Sequence, residues 1–261
     1  MNENWQEMKK QAITWLKEAG QMLKEAINLP LQVQTKSHPN DLVTEMDYKV
    51  ERFLTKNIKS AYPTHRVLGE EEAGAHLSTT EGILWVIDPI DGTTNFVHQK
   101  FNFTISLAIV SNNVGQVGII YNVMNEEWYT AVAGKGAYLN DNRLKQLTET
   151  TITEAVIGMN SRWLLKEEHA NKKRLHTLVR KARSIRSYGS ASLELAYVAT
   201  GRLDSYLNFQ LSPWDYAAGI VILKEVGGRI TDFNNRPLPL LEGSSVLASR
   251  PRLPEEELSY L

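Results

Sequence analysis

Apolar residues in the first sixty positions recur at steps of three and four, the period of a helix with one buried face. The first run ends at Pro30, which disrupts a continuing helix, and the second is predicted over residues 41–58, after a polar connector at 37–40. The inward positions of the two runs are Trp5, Met8, Ala12, Trp15, Leu16, Ala19, Met22, Leu23, Ala26 and Ile27, then Val43, Met46, Val50, Phe53 and Leu54. The pattern therefore predicts two amphipathic helices joined by a short extended segment.

After Pro63 the helical period gives way to short apolar runs separated by polar or glycine-containing connections, which is typical of neighbouring strands. The predicted strands are "RVLGEEE", "ILWVID", "TISLAIV", "VGIIYNV" and "EWYTAVA". The following "GKGAYL" contains part of a dinucleotide-binding fingerprint, but it lacks the third glycine and lies where a hairpin is predicted. We interpret it as a turn.

From residue 155 onwards strands and helices alternate, which indicates an α/β arrangement. The predicted elements are strand "AVIGMN", a helix at 163–182, strand "RSIRSYG", helix "SLELAYVATG", strand "DSYLNF", helix "WDYAAGIVILKEVG" and strands "GRITDF" and "SSVLAS". No linker-like stretch marks a boundary. We expect one compact unit with subdomains at 1–150 and 151–261.

Composition narrows the possible chemistry only in part. The 261 residues include 29 Lys and Arg against 30 Asp and Glu, so no overall charge attracts nucleic acid or a membrane surface. There is no cysteine, which excludes disulfides, thiolate metal sites and a cysteine nucleophile. Because the apolar runs are too short to span a bilayer, we expect a soluble, cytoplasmic protein.

The stretch "DPIDGTT" offers a candidate site at the end of a predicted strand. Asp88, Asp91 and the carbonyl of Ile90 can converge, and carboxylate and carbonyl oxygens are the ligands that Mg²⁺ prefers. The N–H groups of Gly92, Thr93 and Thr94, at the start of a predicted helix, could bind a phosphate oxygen. An ordinary turn with Asp91 capping the helix explains the same residues.

Two further acidic positions could complete such a site. Glu70 precedes Glu71 and Glu72 at the end of a strand, and Asp215 lies at the start of a strongly apolar helix. Each also has a simpler interpretation, a solvated acidic turn for the glutamates and a charge stabilised by the helix dipole for Asp215. These residues alone leave both interpretations open.

Four segments together resemble the inositol monophosphatase family of Mg²⁺-dependent, lithium-sensitive phosphatases. They are "GEE" at 69–71, "WVIDPIDGTTNFVH" at 85–98, "RSYGSASLELAYVATGRLDSY" at 186–206 and "WDYAAGIVILKEVGG" at 214–228. Their order and spacing extend the resemblance over nearly the whole chain. It implies a layered αβαβα sandwich of the inositol monophosphatase and fructose-1,6-bisphosphatase type, and a homodimer.

The resemblance also implies roles for individual residues. Glu70, Asp88 and the carbonyl of Ile90 would hold a first Mg²⁺, while Asp88, Asp91 and Asp215 would hold a second, with two or three ions in all. Thr93 and Glu70 would orient the attacking water, which the metal activates. Asp47 would support Thr93, although by position alone Asp47 could be a charge on a helix surface.

The substrate is implied to be a small phosphate monoester, most directly inositol 1-phosphate. The residues implied to contact it are Asp91, Gly92, Thr93, Thr94, Arg186, Gly189, Ser190, Ala191, Asn208 and Asp215. Asn208 is a departure, because inositol-selective members carry a glutamate seven residues before the helix aspartate. NADP(H) phosphatase, fructose-1,6-bisphosphatase and 3′-phosphoadenosine nucleotidase activities are therefore alternatives on the same fold.

A role of another class, as a binding factor for RNA or the transcription machinery, has one supporting feature. Basic residues are frequent over 162–183, at Arg162, Lys166, Lys172, Lys173, Arg174, Arg180, Lys181 and Arg183. Such a run is usually a solvated helix face, so we do not expect nucleic-acid binding. The histidines at 38, 65, 76, 98, 169 and 176 show no metal-ligand spacing and are interpreted as surface or structural residues.

Overall fold

The computed structural model describes residues 3–36, 42–73, 77–165 and 172–261. Its helices are α1 (Trp5–Ala26), α2 (Glu45–Ala61), α3 (Thr93–His98), α4 (Lys172–Lys181), α5 (Ala191–Ala199), α6 (Pro213–Glu225) and α7 (Leu253–Glu257). Its strands are β1 (Val33–Thr35), β2 (Leu42–Thr44), β3 (Arg66–Gly69), β4 (Ile83–Asp91), β5 (Thr104–Ser111), β6 (Val114–Asn122), β7 (Glu127–Val132), β8 (Ala137–Leu139), β9 (Asn142–Arg143), β10 (Val156–Met159), β11 (Ser184–Arg186), β12 (Ser205–Leu211), β13 (Arg229–Thr231) and β14 (Ser244–Ser249).

The larger sheet is the predicted meander. Its seven strands follow chain order from β3 to β9, with β3 and β4 parallel and every other pair antiparallel. The pairing of β4 with β5 shifts register between Asp88 and Asp91. The end of β4 therefore leaves the regular ladder at the two aspartates singled out from the sequence, because such irregularities turn side chains away from their usual directions.

The helices α1 and α2 cover one face of this sheet, as their apolar stripes predict. Leu16 of α1 and Leu54 of α2 are fully buried in the same cluster as Trp85 of β4. A pair of amphipathic helices over one face of a sheet is the arrangement expected when each helix has a single apolar stripe.

The opposite face carries α5 and α6, which also contact the second sheet. That sheet has the order β11-β10-β12-β14-β13, with β10 parallel to both of its neighbours. Because α6 lies between two sheets it is apolar on nearly all sides, and Ala218, Ile222 and Leu223 are fully buried. The outer face of the second sheet packs against α4 and the C-terminal residues around α7. These five layers confirm the predicted αβαβα sandwich.

Four details differ from the sequence predictions. The meander continues beyond its five predicted strands into β8, within the "GKGAYL" interpreted as a turn, and β9. The helix predicted at 41–58 begins only at Glu45, because residues 42–44 pair with β1 and Thr44 caps the helix. The helix predicted at 163–182 is a 3-10 turn at Ser161–Leu164 followed by α4, and residues 166–171 lie outside the described ranges. The short helix α7 was not predicted. The division into subdomains at 1–150 and 151–261 stays a prediction.

Among the described residues, none of the helices combines the length and the apolar character that a membrane span requires.

The layer between the two sheets yields a test of the packing. Leu223 is fully buried, so we expect Leu223→Ala to lower the free energy of unfolding by about 2–5 kcal/mol through lost contacts and a residual cavity. Leu165 is 77% exposed, and Leu165→Ala should change that free energy by less than about 0.5 kcal/mol. Urea denaturation followed by circular dichroism measures both. Equal losses in the two variants would contradict this packing.

Candidate active site

The end of β4 and the start of α6 bring three aspartates together. Asp88, Asp91 and Asp215 each place a carboxylate oxygen within 4.8 Å of the others. Asp88 and Asp91 are buried, whereas Asp215 is partly exposed. Burial and repulsion by neighbouring carboxylates raise the pKa of Asp88 and of Asp215. A group of negative charges this close is costly without a compensating cation.

Asp215 is placed by the local chemistry of a helix start. Its Oδ2 accepts a hydrogen bond from the Ser212 N–H at 2.7 Å, and Pro213 occupies the first turn of α6. This arrangement satisfies a backbone donor that has no partner within the helix. The hydrogen bond thereby fixes the orientation of the Asp215 carboxylate.

Asp91 is held by the start of α5. Its carboxylate accepts hydrogen bonds from Ser190 Oγ at 2.8 Å, from the Ala191 N–H at 3.1 Å, and from the Ser192 N–H at 2.6 Å and Oγ at 2.5 Å. Burial raises the pKa of Asp91, and these donors act in the opposite direction. Asp91 thus caps α5. The simpler interpretation from the sequence, in which Asp91 caps the helix that follows it, was right about the capping role but wrong about the helix.

Asp47 and Thr93 meet beside the aspartates. Asp47 is fully buried, and its Oδ2 accepts hydrogen bonds from the N–H and Oγ1 of Thr44 at 2.8 and 2.7 Å. Its Oδ1 lies 3.2 Å from Thr93 Oγ1, which also lies 3.1 Å from the carbonyl oxygen of Ile90. Burial raises the pKa of Asp47 to about 6, against the lowering effect of Thr44. Asp47 is therefore not a charge on a helix surface.

Glu70 pairs with a lysine that the sequence interpretation did not include. Lys36 Nζ lies 2.8 Å from Glu70 Oε1 and 2.5 Å from Glu71 Oε1. Burial lowers the pKa of Lys36, but attraction by the two glutamates outweighs burial and the net shift is upward. Repulsion by Glu70 contributes to the raised pKa of Asp88, which places Glu70 at the edge of the aspartate group. Glu70 and Glu71 thus lie against Lys36 beside the aspartate group, whereas Glu72 is exposed and pairs with Arg52, as the solvated turn predicts.

Glu51 is a second residue that the sequence interpretation missed. It lies on α2, is 2% exposed, and accepts hydrogen bonds from the N–H groups of Glu71, Glu72 and Ala73 at 2.7–2.8 Å. The turn that carries Glu70 is therefore tied to α2 by one buried carboxylate. In the sequence, Glu51 could have been found only from its spacing: it lies four residues after Asp47, and the helical period places these two carboxylates on the same face of α2.

Gly92 joins the strand to α3 with φ +95°, a conformation that costs most side chains free energy. A methyl group there would also lie 3.1 Å from the carbonyl oxygen of Gly189 and 3.2 Å from Ser190 Cβ. Thr94 and Gly189 line a cleft of about 370 Å³ together with Leu42, Asn95, His98, Asn160 and Arg162. The turns before α3 and α5 are therefore neighbours, as their predicted common site requires.

Arg186 and Asn208 are engaged in contacts within their own strands. Arg186 is exposed and donates hydrogen bonds to Ser184 Oγ and the carbonyl of Ile185. Asn208 is 9% exposed; its amide donates to Tyr206 Oη at 3.0 Å and accepts from the Gln210 N–H at 3.1 Å. Neither residue has a polar partner at the aspartate group in this structure.

The remaining candidates lie away from the aspartate group, although His98 and Arg162 line the cleft beside Thr94 and Gly189. Lys173, Arg174, Arg180, Lys181 and Arg183 are exposed on or just after α4, as expected of a solvated face, and Lys166 lies outside the described residues. His65 is buried, stacks on Tyr62 and accepts a hydrogen bond from Trp85 Nε1 at 3.0 Å. His98 and His176 are exposed, and positions 38, 76 and 169 lie outside the described residues.

Comparisons with known proteins agree with this fold and site. Residues 4–260 match the inositol monophosphatase family. The chain is 46% identical over 250 residues to the inositol-1-monophosphatase of Bacillus subtilis (strain 168), covering 96% of this chain and 94% of that protein. The crystal structure of inositol monophosphatase-II from Staphylococcus aureus MSSA476 is similar at a TM-score of 0.89 and 39% identity, covering 97% of this chain and 93% of that one.

A third similarity concerns an IMPase/NADP phosphatase crystallised with Mg²⁺ and phosphate, at a TM-score of 0.91 and 25% identity, covering 99% of this chain and 96% of that one. The fold, the aspartate group and these similarities define the chain as a phosphatase acting on phosphate monoesters. It belongs to the inositol monophosphatase family.

The contact of Glu51 with the Glu70 turn can be tested directly. Glu51→Ala leaves three N–H groups without their acceptor, so we expect it to lower the free energy of unfolding by about 2–5 kcal/mol. Glu51→Gln keeps one acceptor oxygen and should lose less. Urea denaturation measures the loss, and hydrogen exchange should show faster exchange at the amides of residues 71–73. Glu18→Gln, at an exposed position on α1, is the control and should match the parent protein.

Proposed function

We propose that this chain hydrolyses inositol 1-phosphate to inositol and phosphate with the help of bound Mg²⁺. The observation that carries the proposal is the group of Asp88, Asp91 and Asp215, placed beside the Thr93 and Asp47 pair in a member of this family. Three carboxylates at a strand end and a helix start would hold a divalent cation, and the Thr93 hydroxyl, hydrogen-bonded to the Asp47 carboxylate, could orient water next to them.

The donor set fits a hard divalent cation. All the candidate donors are oxygen atoms, namely the carboxylates of Glu70, Asp88, Asp91 and Asp215 and the carbonyl of Ile90. The ammonium group of Lys36 already neutralises Glu70, which indicates that this edge of the site favours a positive charge. We propose two or three ions, with Asp88 shared between the first two.

Bound Mg²⁺ supplies positive charge for the phosphoryl oxygens and makes a water molecule more acidic. The chain's own residues then position the reactants. When Thr93 donates its hydroxyl proton to Asp47, its lone pairs are directed to accept a hydrogen bond from the attacking water. We propose Glu70 as the second acceptor for that water. The two hydrogen bonds, from the water to Thr93 and to Glu70, would orient the water toward the phosphate.

The phosphate and the alcohol would lie on the two neighbouring turns. Gly92, Thr93 and Thr94 would bind phosphate oxygens through their N–H groups, and Gly189, Ser190 and Ala191 would line the wall next to the leaving alcohol. Asn208 retains one N–H and one lone pair beyond its contacts with Tyr206 and Gln210, and we propose that it meets an alcohol hydroxyl. The side chain of Arg186 would have to break its hydrogen bonds to Ser184 and Ile185 before it could reach the substrate.

The comparisons do not favour the alternative activities. The matches of higher identity are named inositol monophosphatases, and the IMPase/NADP phosphatase is 25% identical. The family membership also supports three further proposals: a homodimer, inhibition by lithium, and, with the absence of cysteine, a location in the cytoplasm. Sedimentation, phosphatase assays in LiCl and cell fractionation test them in that order.

Loss of one metal-binding carboxylate should abolish most of the activity. We expect Asp88→Asn to lower kcat/KM for inositol 1-phosphate by about 100-fold or more, because several kcal/mol of transition-state stabilisation depend on the metal. A phosphate-release assay measures this change. Asp141→Asn, which removes an exposed carboxylate, is the matched control and should leave kcat/KM unchanged.

A second measurement separates metal binding from catalysis. Mg²⁺ at 100 times its dissociation constant should raise the free energy of unfolding of the parent protein by about 2.7 kcal/mol, and this gain should be reduced in Asp88→Asn. Phosphate release that persists after removal of divalent ions with EDTA would contradict the proposed function.

The Thr93 and Asp47 pair gives a test of water orientation. We expect Thr93→Val and Asp47→Asn each to lower kcat by about 10- to 100-fold, because general acid–base and orienting contacts contribute effects of this order. The double variant should be no slower than the slower single variant, since both act through one hydrogen bond. Losses that multiply in the double variant would show that the two residues act independently.

A further inference from the structure

A loop of four residues, Ser187 to Ser190, connects β11 to α5 and contacts the site at two points. Ser190 Oγ donates a hydrogen bond to Asp91 at 2.8 Å. The carbonyl of Gly189 and Cβ of Ser190 lie directly against Gly92, where there is too little space for another side chain. Any shift of this loop therefore changes the wall beside Gly92.

Glu194, in the first turn of α5, reaches back to this loop. Its Oε1 accepts hydrogen bonds from the Tyr188 N–H at 2.9 Å and the Gly189 N–H at 3.3 Å. On the other side of the loop, Asn95 Nδ2 donates to the Tyr188 carbonyl at 2.6 Å. The loop is thus held between one acceptor and one donor, both on side chains that are nearly inaccessible to water.

The surroundings of Glu194 make the burial of its carboxylate energetically unfavourable. The side chain is 3% exposed, and Oε2 is buried without a hydrogen-bond partner. This oxygen packs against Gly158, where a methyl group would overlap it, and close to Tyr206. Burial raises the pKa of Glu194 to about 7, although the two N–H groups favour the ionised form. An apolar residue would serve the packing of α5 at lower cost, so the carboxylate has another role.

We propose that Glu194 is a positioning residue that fixes the loop at 187–190 and thereby the wall on which the substrate binds. Its effect falls mainly on substrate binding rather than on the metal, because three of the four donors to Asp91 belong to α5 itself and continue to hold it, and only Ser190 Oγ moves with the loop. The kinetic part of this inference rests on the proposed phosphatase function; the structural part does not.

The kinetic test compares Glu194→Ala with Glu194→Gln. Loss of the acceptor in Glu194→Ala should raise KM for inositol 1-phosphate about tenfold and weaken binding of inorganic phosphate to the Mg²⁺-loaded enzyme by a similar factor. The kcat and the Mg²⁺ concentration for half-maximal activity should change by less than about threefold. Glu194→Gln keeps Oε1 for both N–H groups and should restore most of the substrate affinity.

Glu257→Gln is the matched control, because Glu257 is also a fully buried carboxyl but lies on α7 at the outer face of the second sheet. Its KM should equal that of the parent protein. A fall in kcat or Mg²⁺ affinity with KM unchanged in Glu194→Ala would overturn the proposal, as would equal effects of Glu194→Ala and Glu194→Gln.

Hydrogen exchange tests the structural part without any assay of activity. The amides of Tyr188 and Gly189 should exchange at least about tenfold faster in Glu194→Ala than in the parent protein, while those of Ala191 and Ser192 stay protected. Unchanged exchange at Tyr188 and Gly189 would overturn the proposal. If the parent protein does not hydrolyse inositol 1-phosphate but these amides respond, the proposed function fails and the role of Glu194 in holding the loop stands.

Discussion

The contact between Asp91 and the start of α5 is the interaction on which the rest of the site depends. Asp91 lies at the end of β4 in the seven-stranded sheet, whereas its donors belong to Ser190, Ala191 and Ser192, next to the layer between the sheets. Because the carboxylate is buried, removing it would leave several donors unpaired. One side chain therefore fixes both the docking of a helix and the position of a candidate metal ligand.

Other carboxylates around the site are likewise held by backbone N–H groups. Asp47 accepts the Thr44 N–H, Asp215 accepts the Ser212 N–H, and Glu51 accepts three N–H groups of the Glu70 turn. Hydrogen bonds to charged groups contribute about 1.5–3 kcal/mol each, which offsets part of the cost of burying negative charge. Fixed backbone dipoles thus hold the carboxylates in place, and the geometry of the site does not have to be created by its ligands.

The sequence predicted the parts of this arrangement that depend on neighbouring residues. Asp88 and Asp91 are placed by a strand end and a turn, and Asp215 by a helix start, so local patterns located these residues, whereas the family resemblance was needed to choose a metal site over ordinary capping. Lys36 and Glu51 could not be assigned in the same way, because they meet the Glu70 turn only after distant segments pack together. The late start of α2 has a similar cause, since pairing with β1 overrides the helical period at residues 42–44. The roles of Asn208 and Arg186 toward a substrate stay predictions.

The ion pairs of Lys36 with Glu70 and Glu71 affect how readily the turn at Glu70 would accept another cation. One ammonium group within the chain thus serves as counter-ion to two of the crowded carboxylates. A cation that binds at Glu70 must then take over a position held by an ammonium group, so its apparent affinity is reduced by the strength of the internal pair. Part of the negative charge of the site is therefore balanced by the chain itself before any ligand binds.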